Sequence, residues 1–405
     1  MKVPARSSHF SDVEYLLDGF EHVETRDDLR ARLALGRALN VKLGIDPTSP
    51  DLHLGFMVVL EKLQRFAEAG HRVTWIIGDF TARIGDPSGK NVTRPQLTRE
   101  EIEANMETYS RQAAKVLDLD RIAVRYNSEW LDKLDITDLV KLLAKTTVAQ
   151  MLERNDFHNR YGSGTPISLH EFLYPVAQAY DSIAVEADVE LGGSDQLFNL
   201  LLGRHYQREY GQPPQICATV PLLVGLDGQK KMSKSLGNYV GIDEPPAEQF
   251  GKLMKIGDDL IATYARLAAF RTQSDCDRLA AEIAAGRANA MDAKKAVAAE
   301  VVARYHGAAA AVAARENFEA TVQRKEIPRG ELSEIDAGDC SRVAELLVKA
   351  GFAQSRREAE RLIAGSGVKV DGAVVSDPRA AWTATAPAVL SVGSRRFVRV
   401  APRKE

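Results

Sequence analysis

The stretch from residue 41 to residue 77 limits the possible folds more than any other part of this chain. Val41-Lys42-Leu43-Gly44-Ile45-Asp46 has the length and apolar content of a short strand. The turn-forming run Pro47-Thr48-Ser49-Pro50-Asp51 follows it. Over residues 56–69, Val59, Leu60, Leu63, Phe66 and Ala67 recur at the spacing of one buried helix face, and Gly70 stands where helices commonly end. Val73-Thr74-Trp75-Ile76-Ile77 is then nearly all apolar, as a parallel strand covered on both faces tends to be. Strand, helix and strand in this order predict a βαβ unit. Val220-Pro221-Leu222-Leu223-Val224 reads as a later strand of the same sheet.

The rest of the chain divides by composition. Residues 100–160 are charged and mostly helical in pattern, which suits an insertion, an interface or both. After Asp243-Glu244-Pro245-Pro246 the chain turns rich in alanine, and residues 248–318 read as a helical bundle. Pro328, Gly330 and Gly338 among charged residues mark a linker over 326–338. Beyond it come a helix at 342–350, a helix at 355–364 with Ser355 and Glu358 as a capping box, and short strands at 368–370 and 389–392. With 405 residues, two or three domains are expected at roughly 150 residues each.

The formal charge of -3 conceals an asymmetry. Residues 341–405 carry twelve Lys and Arg against six Asp and Glu, a net of +6, so the other 340 residues carry -9. A basic end on an acidic body suits a polyanion-binding appendage, although on charge alone a solvated charged face is the commoner case. No apolar run approaches the roughly 18 residues of a membrane span, and the first 25 residues have no secretory core segment. Cys217, Cys276 and Cys340 are odd in number and far apart, which predicts a reducing cytoplasm and no zinc site.

Five motifs carry chemistry. Asp46-Pro47-Thr48 and His53-Leu54-Gly55-Phe56 fall between the first strand and the first helix, where a strand's carboxyl end and a helix's amino end make an anion site. Thr48 and His53 can donate to phosphate oxygens there, although a lone His in that place is also an ordinary cap. Lys231-Met232-Ser233-Lys234-Ser235 follows Asp227-Gly228-Gln229-Lys230, so three lysines lie within five positions of a loop expected to be mobile. It suits a grip on a triphosphate whose leaving group gains charge, or a solvated basic loop. Gly78 to Lys90 (GDFTARIGDPSGK) reads either as a ligand loop at a strand end or as a turn. Tyr174, Gln178 and Asp181 share one helix face and could line a polar pocket or an exposed surface. Glu190-Leu191-Gly192-Gly193-Ser194-Asp195-Gln196 opens a helical run with paired glycines that let a base or ribose lie close, with Asp195 as acceptor for ribose hydroxyls or as a helix cap.

In this order the motifs resemble those of a class I aminoacyl-tRNA synthetase, specifically the bacterial, KMSKS-containing branch of the tyrosyl-tRNA synthetases. His53-Leu54-Gly55-Phe56 resembles the HIGH motif and Lys231 to Ser235 is the KMSKS motif in full. Gly85 to Lys90 and Gly192 to Gln196 look like tyrosyl-enzyme signatures, and Tyr174, Gln178 and Asp181 match the amino-acid pocket helix. The tail from about Asp339, with Ser355-Arg356-Arg357-Glu358-Ala359, Arg361-Leu362-Ile363 and Gly367 to Gly372, resembles a small RNA-binding module of a ribosomal small-subunit protein.

The resemblance implies an α/β fold. A Rossmann-like parallel-sheet catalytic domain would span 1–245 with a helical insertion near 120–161. An α-helical anticodon-binding domain would follow at 246–325, then the linker 326–338 and a small α+β RNA-binding domain at 339–405. It implies a ligase that activates L-tyrosine with ATP to tyrosyl-adenylate and pyrophosphate, then transfers tyrosine to the terminal adenosine of its tRNA. Neither step needs a side-chain nucleophile or general base, so positioning and charge stabilisation should dominate. By match to the family motifs, Thr48 and His53 hold the outer phosphates, and Lys231 and Lys234 close on the leaving pyrophosphate with Ser235 assisting. Asp46, Gly55, Phe56 and Met232 complete the ATP site, and Asp195 binds the ribose beside Gly192 and Gly193. Asp86, Tyr174 and Gln178 hold the α-amino group, Gln196 lies near the carboxyl, and Asp181 accepts the phenolic proton, with Lys42 and Gly44 in the same pocket. Arg356, Arg357, Arg361 and Lys369 contact RNA. Magnesium arrives with ATP and no protein-bound metal is expected. A cytoplasmic homodimer is implied, with the insertion at its interface and no membrane partner.

Three positions depart from the family pattern. Phe56 stands where His or Asn is usual, Lys42 where many members place a tyrosine, and Glu190 where a glutamine occurs in one branch. A tryptophanyl-tRNA synthetase is the nearest alternative, and the tail module and the Tyr174/Gln178/Asp181 face speak against it. An RNA-binding protein derived from a synthetase would not need Lys231, Lys234, His53 and Asp195 together. An RNA-modifying enzyme with the same tail would need neither nucleotide motif.

Overall fold

The structure is a computed structural model that describes residues 7–48, 51–86, 98–323, 332–393 and 396–402. Ser49 and Pro50 of the first turn, residues 87–90 of the glycine-rich stretch and residues 326–331 of the predicted linker lie outside the described residues. Two compact units emerge, residues 1–244 with 255–297, and residues 245–254 with 298–405.

The first unit is built on six strands: His22–Glu24 (β1), Asn40–Ile45 (β2), Arg72–Ile77 (β3), Ile122–Tyr126 (β4), Val189–Gly193 (β5) and Ile216–Val220 (β6). Their spatial order is β1-β6-β5-β2-β3-β4. β2 to β6 pair in parallel, and β1 joins antiparallel at the edge. The predicted βαβ unit is present as β2, the helix Leu54–Ala69 and β3. The helix starts two residues before the apolar pattern does, because the His53 ring accepts the Gly55 amide at 3.2 Å and caps it. It ends at Gly70, whose φ of 104° is the left-handed conformation of a C-terminal cap. Leu60, Leu63, Phe66 and Ala67 are wholly buried along its core face, as are Trp75, Ile76 and Ile77 of β3.

Two elements differ from expectation. The stretch 100–160 is mostly helical but contains β4, the edge strand beside β3. Only its first residue, Ile122, is buried, so an edge position left it without the apolar run of an inner strand. The strand expected at 220–224 is instead Ile216–Val220, buried at every position. Pro221 has no N–H to offer the ladder and stops it, and Val224 forms a lone bridge with Lys231 instead.

β2 leads to β3 on one side, whereas β5 lies on the other. The strand order therefore reverses between β2 and β5, which opens a crevice at their carboxyl ends. The alanine-rich stretch is helical as expected, and it is shared between the units. The helix Ile261–Leu267 is tied to the first unit by Arg266, which joins Arg65 on the Asp18 carboxylate. The helices Pro246–Leu253 and Ala308–Phe318 pack together in the second, with Phe250 and Phe318 ring centroids 5.5 Å apart.

The second unit ends in a five-stranded sheet of Glu334–Asp336 (β7), Val368–Val370 (β8), Ala373–Val375 (β9), Ala388–Val392 (β10) and Arg396–Ala401 (β11). Its order is β7-β11-β10-β8-β9. β7 lies within the stretch read as linker and pairs parallel to β11. The helices Val343–Lys349 and Arg356–Ala364 bury Leu346, Leu347 and Ile363 in one core with Val368, Leu390, Val398 and Val400. The capping box at Ser355 is only half made. Ser355 accepts the Glu358 amide at 3.3 Å, but the Glu358 carboxylate takes the Gln354 amide rather than that of Ser355.

Leu63 supports the crossover helix with no exposed surface. Leu63→Ala is expected to destabilise the first unit by about 2–5 kcal/mol, through lost burial and the cavity left behind. Thermal melting should show that unit unfolding earlier, with the second unit's transition in place.

Candidate active site

A cavity of about 600 Å³ occupies the crevice. Its floor is made by the ends of four neighbouring strands, through Gly44 of β2 and Asp46 after it, Gly78 after β3, Gly192 and Gly193 of β5, and Pro221 after β6. The helix start at His53 and the loop Lys231 to Ser235 form one wall, and Tyr174, Gln178 and Asp181 form another. Of the residues singled out for ATP and tyrosine, all but Lys42 line this one cavity.

The cationic wall is arranged by short-range constraints. His53 is the cap of the crossover helix, so its ring cannot turn away from the helix start. Because its Nδ1 accepts the Gly55 N–H, the ring proton of the neutral form sits on Nε2, free to donate. Burial pushes the His53 pKa down to about 3, with Lys234 and Lys231 adding to the fall. A side chain at position 55 would meet the His53 ring at 3.0 Å, so the glycine there lets the ring fold over the helix start. Phe56 packs on His53 with ring centroids 4.6 Å apart, so at this position an apolar ring supports the histidine.

The lysine loop is tethered. Met232 donates its amide to the Leu223 carbonyl at 2.7 Å. Asn238 accepts the Ser233 amide at 2.8 Å and donates to Asp227 at 2.8 Å and to the Lys231 carbonyl at 3.1 Å. Lys231 pairs with Asp195 at 2.5 Å, and Lys234 with Asp51 at 3.4 Å. Burial lowers the Lys234 pKa, against the pull of Asp51. Lys230, of the same basic run, is exposed and lies off the cavity wall.

The opposite wall is a polar network. Asp86 accepts from Arg154 at 3.1 Å and from Gln196 at 3.2 Å. Asn199 donates 2.9 Å bonds to both Gln196 and Gln178. Asp181 is 3% exposed and takes the Trp130 indole N–H at 2.8 Å and the Asn127 amide at 3.4 Å. Burial pushes its pKa up to about 7, while Lys42, Trp130 and Asn127 pull it down and Glu190 adds to the rise. Thr81 donates to Asp46 at 2.7 Å and accepts from Asn127 at 3.1 Å, which links the β2 end of the cavity to Asp181. Thr48 is held by its amide on the Asp46 carbonyl at 2.8 Å.

Five residues of this network escaped the sequence reading: Asn127, Trp130, Arg154, Asn199 and Asp51. Asn127 and Trp130 follow the unrecognised strand β4, so recognising that strand would have placed them at a strand end. Arg154 meets Asn199 and Asp86 from 45 and 68 positions away, and Asn199 meets Gln178 from 21, so no local spacing announces these contacts. Lys42 is 1% exposed and stands behind the wall, 3.0 Å from Glu190. Arg356, Arg357 and Arg361 are exposed on one helix of the second unit, with Arg356 3.3 Å from Glu360, and Lys369 is half-buried on β8.

The profile of the family tRNA synthetases class I (W and Y) matches residues 34–323, and that of the S4 domain matches residues 341–380. A tyrosine–tRNA ligase of Ralstonia nicotianae is 51% identical over 380 residues, 93% of this chain and 95% of the relative. One of Cupriavidus pinatubonensis is 54% identical over 91% of this chain and 88% of its own. This chain belongs to the tyrosyl-tRNA synthetase family. The chain is also similar in fold to the tyrosyl-tRNA synthetase of Archaeoglobus fulgidus, solved with L-tyrosine, at a TM-score of 0.64 and 25% identity over 74% of this chain and 98% of that one. The cavity lies wholly inside the matched synthetase region, and both tail helices lie inside the S4 match.

Between pH 6.5 and about 3 the unfolded chain takes up a proton that folded His53 refuses. Its burial therefore makes no pH-dependent contribution above 6.5 and removes stability as pH falls through that window. Histidine nitrogen spectra should show His53 neutral with its proton on Nε2 at pH 5.5, where exposed histidines are charged. A protonated His53 at that pH would contradict the assignment.

Proposed function

We propose that this enzyme joins L-tyrosine to its tRNA in two steps within this cavity. The observation that carries the reading is the pairing of two unlike walls in one crevice. One presents Lys231, Lys234 and a neutral histidine donor at a helix start, and the other a buried carboxylate with an amide network. The first suits a triphosphate and the second an amino acid bearing a hydroxyl.

In the first step a carboxylate oxygen of tyrosine attacks the α-phosphorus of ATP, and the bond to the β-phosphate oxygen breaks. Thr48 and the Nε2–H of His53 would donate to the outer phosphates, and Lys231, Lys234 and Ser235 would take the charge that grows on pyrophosphate. Asp46, Gly55, Phe56 and Met232 would shape the ATP site. A ribose hydroxyl taken up by Asp195, beside Gly192 and Gly193, would displace Lys231 and release its ammonium toward phosphate. Asp86, Tyr174 and Gln178 would hold the α-amino group, with Gln196 near the carboxyl and Gly44 leaving room beside them. Asp181 would accept the phenol proton, and phenylalanine would leave that buried carboxylate without its partner, which disfavours it. In the second step a ribose hydroxyl of the terminal adenosine attacks the tyrosyl carbonyl and AMP leaves. Magnesium would enter on the ATP phosphates as part of that substrate.

The tRNA partner would also engage Arg356, Arg357, Arg361 and Lys369 of the tail module, and residues 246–325 would serve the anticodon. A homodimer is part of the proposal. In the helix Ile136–Leu143, Ile136 and Val140 are largely exposed one turn apart, and Val148 and Tyr161 of the same insertion are exposed too. A second copy with the same apolar row would cover it. The reducing cytoplasm is the proposed setting. Among the described residues no helix is long and apolar enough to cross a membrane.

ATP–pyrophosphate exchange across the twenty amino acids tests the reading, with tyrosine expected to support it. Exchange driven by tryptophan, or by no amino acid, would overturn it. Lys234→Ala should slow adenylate formation by about two or more orders of magnitude, with tyrosine affinity within about twofold. Removing the tail from residue 332 onward should spare exchange and weaken tRNA charging, increasingly so with salt. Ile136→Asp with Val140→Asp should give a monomer by light scattering.

A further inference from the structure

Lys42 and Glu190 are cross-strand partners on β2 and β5, directly beneath the tyrosine-side wall. Both side chains are 1% exposed, and their charged ends are 3.0 Å apart. Inner positions of a parallel sheet ordinarily carry aliphatic side chains, as Val41, Leu43, Val189 and Leu191 do here. A buried ion pair contributes little net stability compared with well-packed apolar residues. Its partners indicate another use.

Four donors surround Glu190. Oε1 accepts from Lys42 and, at 3.1 Å, from the side-chain amide of Gln178, while Oε2 accepts from Ser182 at 3.2 Å and from Gln215. Lys42 also donates to the backbone carbonyl of Gln178 at 3.2 Å. Gln178 thus has its amide nitrogen turned to Glu190 and its carbonyl oxygen turned to Asn199. Lys42 is also the strongest charge favouring ionised Asp181, and Glu190 opposes it.

We propose that the Lys42–Glu190 pair is a positioning device for amino-acid recognition. It sets the orientation of the Gln178 amide and holds Asp181 as a hydrogen-bond acceptor, so Lys42 acts on the substrate through these two residues without touching it. The inference rests on the tyrosine reading of the cavity and adds the residues that tune it.

Opposite charges give the device a signature that a structural role lacks. The charged groups acting on Asp181 among the described residues are Lys42 from β2 and Glu190 from β5. The segment after β4 presents the neutral donors Asn127 and Trp130, and Asp46 is linked to Asp181 through Thr81 and Asn127. Cys217, opposite Glu190 on β6, stays a neutral thiol because burial pushes its pKa up. Protonated Asp181 cannot accept the phenol hydrogen through the oxygen that carries its proton, so kcat/KM for tyrosine should fall on the acid side with the ionisation of Asp181.

The test is tyrosine-dependent ATP–pyrophosphate exchange from pH 5.5 to 9 with wild type, Lys42→Met, Glu190→Gln and the double variant. Lys42→Met should move the acid limb to higher pH and raise KM for tyrosine on the order of tenfold at pH 7, with KM for ATP within about twofold. Glu190→Gln should move the limb to lower pH, and the double variant should lie between the single ones. The double variant removes both charges and leaves no unpaired ion, so it and Glu190→Gln still decide the matter if Lys42→Met alone does not fold. Limbs that stay in place, or move in the same direction for both single variants, would overturn the proposal. If wild-type exchange does not require tyrosine, the functional reading fails first. If it does and the limbs stay in place, only this inference fails.

Discussion

The reversal of strand order between β2 and β5 is the constraint on which the rest of the site depends. Parallel strands carry all their carboxyl ends to one edge, and neighbouring crossovers that leave in opposite directions cannot close over that edge. The gap collects residues far apart in the chain: His53 at a helix start, Asp181 on a helix laid across the wall, Asp195 just after β5 and Lys231 on the loop after β6. None of them needs to move far to meet the same ligand. Catalysis by positioning, as proposed, would require this, because no covalent step would fall to the protein.

In and behind the walls of the crevice the charges are arranged in opposed pairs. Lys231 rests on Asp195, Lys234 on Asp51, Arg154 on Asp86 and Lys42 on Glu190. The first two pairs are partly open and lie on the side proposed for the nucleotide, which would compete for them. The last two are nearly closed from solvent and lie on the side proposed for the amino acid. An exposed pair exchanges partners at little cost, whereas breaking a buried one leaves an uncompensated charge in a low dielectric. Acid–base pairs therefore suit a releasable grip at one end of the cavity and a rigid frame at the other. His53 between them remains neutral, because burial and two nearby ammonium groups both disfavour its proton.

Much of this was legible before any coordinates. Apolar periodicity located the crossover helix and both strands of the first βαβ unit, because an inner strand and a one-faced helix impose strong patterns. The residues of the HIGH-like and KMSKS motifs were legible from their letters, since a short loop at a helix or strand end acts through its own side chains. β4 was not, because a half-exposed edge strand has a weak pattern. β6 was expected four residues too late, because Leu222 and Leu223 after Pro221 look like strand but line the cavity. The half-made box at Ser355 shows the same limit, since the capping letters leave open which amide the Glu358 carboxylate reaches.

What the sequence by itself determined is the class of fold and the short motifs whose residues the structure gathers in one crevice. Those follow from periodicity and from motifs whose members sit within a few residues of one another. Only the tertiary structure decided what each buried polar group faces. Lys42 looked like a pocket residue and proves to stand behind the pocket on Glu190. Asp181 lacked a donor in the sequence and finds two, from Asn127 and Trp130. These contacts join residues 51 to 148 positions apart, and only the fold brings such residues close enough for a hydrogen bond or a charge to act between them.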